Sequence, residues 1–141
     1  MGFMQGFLGN MSEVTQEQLY QQYGQYLMEG ERIVTGFKLI RDVMIITDRR
    51  ILEFDKQGAT GQKMRVNSIY LNSIFNVSAE TAGFGIDDSE LEIYYIATPY
   101  LKAHGIQYAS KKYEFPKKYN IQGLYKMLQE YAYANYMRLN G

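Results

Sequence analysis

Between residues 32 and 115 the chain is a succession of short β-branched and aromatic runs, each closed by turn residues, and the three- to four-residue period of a helix is absent throughout. That pattern excludes a helical body. The runs are 32–40 and 43–47 around a tight Arg41-Asp42 turn, then 50–55 and 62–71 around a loop containing Gly58 and Gly61. Glycine supplies the positive φ that such turns use. Residues 73–80 alternate, which predicts Phe75, Val77 and Ala79 on one face and Ile74, Asn76 and Ser78 on the other. Leu91, Ile93 and Tyr95 alternate against Glu90, Glu92 and Tyr94 in the same way. A seventh run, 106–115, ends at Pro116, which has no amide hydrogen for a ladder.

Helical signals flank this region. Around 12–26, Ser12 or Thr15 can cap exposed amides, and Val14, Leu19, Tyr23, Tyr26 and Leu27 follow helical spacing. Gly24 weakens its middle, and Glu29-Gly30-Glu31 ends it. Asn120 is a candidate N-cap for a closing helix whose Ile121, Leu124, Leu128, Tyr131 and Ala132 share one face. Seven strands are too many for an uncovered open sheet of this size. Curling the sheet hides most edges, and a helix across one mouth buries the apolar opening. The expected fold is therefore mainly β: a seven-stranded antiparallel barrel capped by a C-terminal helix, with a short N-terminal helix. At 141 residues the chain fits one domain, with residues 1–28 as an N-terminal segment and short helix and 29–138 as the body.

Particular strings narrow this further. They are Phe7-Leu8-Gly9-Asn10, Glu29-Gly30-Glu31, Phe37-Lys38-Leu39-Ile40-Arg41-Asp42, Thr47-Asp48-Arg49-Arg50, Asp55-Lys56-Gln57-Gly58 with Gly61, and Glu80-Thr81-Ala82-Gly83. Their order and spacing resemble the bacterial pleckstrin-homology-like domain family, over residues 7–131. The resemblance implies a seven-stranded barrel with one capping helix. It also implies a small module of unassigned role, related to eukaryotic lipid- and protein-binding modules and inclined to assemble into rings. One departure stands out. Phosphoinositide-binding members of the wider fold use a long basic loop between the first two strands, whereas this chain turns at Arg41-Asp42.

Charge and cysteine usage exclude several functions. Fifteen basic residues balance 15 acidic ones, so no net field draws the chain to nucleic acid. No cysteine is present, which removes disulfides and thiolate chemistry and agrees with a cytoplasmic location. Residues 1–10 carry no Lys or Arg and are interrupted by Gly, unlike a signal peptide, and Gly6 stands where a myristoylation signal wants Ser or Thr. No run reaches the length of a membrane span.

The candidate chemical motifs read as structure. His104 is the only histidine and lies beside Gly105, with no nucleophile or orienting partner identifiable. Asp87, Asp88, Glu90 and Glu92 lack calcium-loop spacing and read as an exposed strand face. Gly58 to Lys63 fails the phosphate-loop spacing, and Gly83-Phe84-Gly85 lacks the third glycine of a dinucleotide fingerprint. No catalytic residue, cofactor or metal is expected.

Binding is the remaining class. The chain has 14 Tyr, residues with an apolar body and a polar tip that suit interfaces. Acidic residues gather at Glu80, Asp87, Asp88, Glu90 and Glu92, and lysines at Lys102, Lys111, Lys112, Lys117 and Lys118. On different faces, such patches would let copies meet head to tail. The apolar termini are the other candidates, Met1, Phe3, Met4, Phe7 and Leu8 at one end and Tyr131, Tyr133, Tyr136 and Met137 at the other. The expected interface set is Phe3, Phe7, Leu8, Asp87, Asp88, Lys111, Lys112, Tyr133 and Tyr136, for a homo-oligomer that takes a protein or peptide partner. The alternative is a peripheral contact with anionic membrane lipid through the lysines between 102 and 118.

Overall fold

The computed structural model describes residues 15–57, 63–81, 88–98 and 105–140. They fall into two compact units that divide in sequence between Tyr70 and Leu71. The expected antiparallel strands are present as a four-stranded and a three-stranded sheet, with a short N-terminal helix and a longer C-terminal one. Gly58, Gly61, Gly83 to Gly85 and His104 lie outside the described residues.

Among the described residues of the first unit, α1 is Gln16–Tyr23. Thr15 is its cap, Ser12 lying outside the described residues: Thr15 Oγ1 accepts from the Gln18 amide and Gln18 Oε1 accepts from the Thr15 amide, each at 3.2 Å. A 3₁₀ turn, Gly24–Tyr26, follows. The strands β1 (Ile33–Lys38), β2 (Val43–Thr47), β3 (Arg50–Gln57) and β4 (Lys63–Tyr70) then form an antiparallel meander. The register of β1 shifts between Ile33 and Thr35. There the backbone of Ile33 finds partners on the helix, its amide donating to the Tyr20 hydroxyl and its carbonyl accepting from Gln16. Leu19 and Tyr23 of α1 pack with Ile33, Ile45, Leu52 and Phe54. Burial of each such side chain stabilises by about 1.5–3 kcal/mol. Gly36 permits the approach, because a Cβ there would lie 2.7 Å from a Leu19 methyl.

The second unit begins with a 3₁₀ turn, Leu71–Ser73. It continues with β5 (Ile74–Glu80), β6 (Ser89–Ile96) and β7 (Tyr108–Phe115), antiparallel in that order, and closes with α2, Gln122–Asn140. Asn120 does cap the closing helix, its Oδ1 accepting from the Gln122 amide at 3.1 Å. Leu124, Met127, Leu128 and Ala132 form the buried face of α2, which packs on β5. Asn135 extends that face with a polar group. Its amide nitrogen donates to the carbonyls of Leu71 (2.8 Å) and Ile74 (2.9 Å), where the chain turns into β5.

One sequence expectation is corrected here. The register of β5 shifts between Ile74 and Asn76, so the simple alternation over 73–80 does not hold. Ile74 and Val77 are buried, and Phe75 stands 37% exposed on the other face. The extra residue of a bulge changes the phase of everything before it.

Candidate functional site

Two of the family-like strings meet in a buried ion pair. Glu31 is buried, and Arg50 grips it with two bonds, Nε to Oε2 at 2.8 Å and Nη2 to Oε1 at 2.9 Å. Thr47 Oγ1 donates to Oε2 at 2.6 Å, and the Met28 amide donates to Oε1 at 2.8 Å. Burial alone would push the Glu31 carboxyl up, but these four donors outweigh it and hold the group at about 2. The remaining Arg50 bonds run to Ser68 Oγ (2.9 Å) and the Tyr26 carbonyl (3.0 Å). Gly30, at φ +79, makes the turn that delivers Glu31. This arrangement ties the turn after α1 to β3 and β4, with its polar groups turned on one another. It is a brace rather than a ligand site.

The turn joining β1 and β2 is short, closed by the Leu39 amide on the Asp42 carbonyl at 2.8 Å. Val43 pairs with Phe54, which sets Asp42 beside Glu53 and Asp55. Burial, then the hydrogen bond and charge of Glu53, then Asp55, push the Asp42 carboxyl up to about 7. Asn67 Nδ2 donates to Glu53 Oε1 at 3.2 Å. Carboxyl groups clustered at this turn disfavour a phosphate ligand there. Among the described residues no group of three or more His, Cys, Asp or Glu has the placement to hold a metal ion.

The outward face of the β5–β7 sheet is different. Glu80, Glu90 and Glu114 stand opposite one another on adjacent strands, as do Ser78, Glu92 and Lys112 one rung along. Lys112 Nζ lies 3.6 Å from Glu90 Oε2, and the Tyr94 hydroxyl donates to Glu92 Oε1 at 3.0 Å. A shallow groove of about 290 Å³ runs here, lined by Ser78, Ala79, Glu80, Glu90, Glu92 and Lys112. Beyond Tyr94 the same face becomes aromatic. The Phe75 ring lies 6.4 Å from Tyr94 and 5.8 Å from Tyr108, edge to face with the latter. Tyr108 and the nearby Ile106 are each 67% exposed.

Of the expected interface residues, Tyr133 and Tyr136 are exposed at three-residue spacing on α2, with Met137 beside them. Lys111 and Lys112 are adjacent on β7 and so point to opposite faces, Lys112 outward into the acidic groove. Asp88 is exposed before β6. Phe3, Phe7, Leu8, Asp87 and Lys102 lie outside the described residues. Sequence reasoning missed Phe75, Tyr94, Tyr108 and Glu114 as one surface, because only strand register brings them together.

A model of the bacterial PH domain family matches residues 2–132, across both units. The chain belongs to this family. An uncharacterized protein of Bacillus subtilis, YjqA, is 37% identical over 128 residues, covering 91% of this chain and 96% of the relative. A pleckstrin homology domain from Shewanella amazonensis superposes with a TM-score of 0.65 at 29% identity, over 93% of this chain and 98% of that one. A DUF1696 family protein with a pleckstrin-homology domain, from Shewanella loihica, gives 0.65 at 27% identity, over 86% of this chain and 96% of that one. The fold alone is shared with a PH-domain-containing protein from Exiguobacterium sibiricum, at a TM-score of 0.61 and 21% identity over 88% of this chain and 62% of that one. The fold expected from the strings is thus the fold of this bacterial PH family. These matches carry no catalytic description, and among the described residues no helix is long and apolar enough to cross a membrane.

Proposed function

We propose that this bacterial PH-family chain is a non-catalytic binding and scaffolding module of the cytoplasm, acting as one domain over 29–138. It assembles with copies of itself into a closed ring and takes a protein or peptide partner. The observation that carries the reading is the amount of large apolar surface left on well-formed elements. Phe75, Ile106 and Tyr108 are exposed in and beside the β5–β7 sheet, and Tyr133, Tyr136, Met137 and Leu139 on α2. Apolar surface gathered into a patch ordinarily marks an interaction site, and Phe75 and Tyr108 are in ring contact. A head-to-tail contact between copies closes into a ring when its rotation permits.

The membrane alternative has less support. Lys111 and Lys112 face opposite ways, Lys112 lies against Glu90, and Asp42 of the β1–β2 turn is gathered with Glu53 and Asp55. Polybasic attraction needs its charges on one surface.

The test is light scattering after gel filtration for the wild type and a Tyr133→Ser/Tyr136→Ser/Met137→Ser variant, with liposome flotation alongside. A multimeric wild type whose mass falls in the variant supports the reading. A monomeric wild type refutes self-assembly, and flotation at low salt would favour the lipid alternative.

A further inference from the structure

The aromatic and acidic halves of the β5–β7 face lie end to end along β6. From the existing reading of this chain as a module for protein partners, we infer that this face docks an extended peptide segment with a basic and an apolar anchor. Three observations converge on that chemistry.

The first is the aromatic shelf. Phe75 is turned outward by the β5 bulge and makes ring contacts with Tyr94 and Tyr108, leaving Tyr108 67% exposed. Aromatic rings that present a face and a hydroxyl to water are common anchors of interfaces.

The second is charge. The register places Glu80, Glu90, Glu92 and Glu114 on this face, where Lys112 is the one base that the three strands contribute among the described residues, Lys111 lying on the opposite face. Like charges directly opposite one another destabilise a sheet, and Glu80, Glu90 and Glu114 are three in line. Lys112, 3.6 Å from Glu90, offsets only part of that charge, and stability gives no reason for the remainder. A cationic occupant does, because it relieves the repulsion and is drawn by the field, while phosphate-bearing partners are repelled.

The third is spacing. Glu90 and Tyr94 are both on β6, four residues apart, about 13 Å at strand rise. An extended segment has the same rise, so its Lys or Arg and its aromatic or Leu anchor fall four positions apart. The groove beside Glu90 and Glu92 receives the basic side chain, and the shelf receives the apolar one. The Tyr94 hydroxyl bonded to Glu92 fixes the boundary between the two.

The test uses the full chain and a fluorescein-labelled nonapeptide carrying Lys-Arg and, four positions on, Phe-Leu, in a Gly-Ser background. Fluorescence anisotropy is read in low and high salt. The inference expects binding that weakens with salt, that is lost when Lys-Arg becomes Glu-Glu, and that falls about fivefold or more in Tyr108→Ser and in Glu80→Gln/Glu114→Gln. Lys117→Ala, in the turn after β7, leaves it unchanged. The carboxylate variant also unfolds at a higher temperature than wild type, a readout that needs no ligand. Absence of binding at low salt, equal binding of the acidic probe, or wild-type affinity in both face variants overturns the inference. So does a drop in native mass in the carboxylate variant without peptide binding, which would make the occupant a second copy. Native mass by light scattering judges self-assembly separately, so either idea can fail while the other stands.

Discussion

Replacing Arg50 by Met leaves Glu31 buried without its counter-charge, and the structure sets the size of the effect. The Glu31 carboxyl is held at about 2 against an ordinary 4.5, which at about 1.4 kcal/mol per pH unit corresponds to about 3 kcal/mol favouring the ionised folded form at neutral pH. Removing one partner of a buried pair costs about 3–5 kcal/mol, so the two routes agree. The sign with pH follows from the direction of the change. A lowered folded value stabilises above 4.5, and that contribution is lost as pH falls toward 2. In Arg50→Met the desolvated carboxyl titrates above its ordinary value, so acid relieves the variant while it weakens the wild type. Urea denaturation, followed by tyrosine fluorescence and far-ultraviolet circular dichroism, therefore gives a large gap at pH 7 that shrinks by more than half at pH 3. Glu31→Leu/Arg50→Met recovers much of the loss, because no charge remains buried. A gap below about 1 kcal/mol at pH 7, or one that does not change with pH, would mean that the pair contributes no more than an exposed one.

Asp42, raised to about 7, contributes stability that is fully present below 3.8 and is lost as pH rises through 7. Asp42→Asn accordingly gains on wild type between pH 5 and pH 8 in urea midpoint, and parallel profiles would contradict this. Gly36→Ala drives a Cβ against Leu19 and lowers stability by about 1–3 kcal/mol, read by the same denaturation. Asn135→Leu strips the Leu71 and Ile74 carbonyls of their donor and costs about 2–4 kcal/mol, whereas a thermally neutral variant would mean that these bonds contribute nothing.

Strand positions were legible because turn residues punctuate this chain at almost every reversal: Arg41-Asp42 lies between β1 and β2, and Pro116 follows β7. The cap at Asn120 was legible for the same local reason. What escaped depends on pairs distant in sequence. Glu31 and Arg50 were visible only as pieces of two strings, and their ion pair crosses 19 residues. The β5 bulge has no mark of its own in Ile74-Phe75-Asn76, yet it exchanges which of Ile74 and Phe75 is wet. Glu114 stands in sequence between Lys112 and Lys117, and only the β6–β7 register aligns it with Glu90. Asn135 breaks the apolar period of α2, so its burial follows from the carbonyls it meets, not from its own chemistry.

Sedimentation velocity of the 141-residue chain across the micromolar range decides whether it assembles as proposed. A single species at a fixed integer multiple of 16.4 kDa is the expected result, and a 16.4 kDa monomer at every concentration would rule self-assembly out.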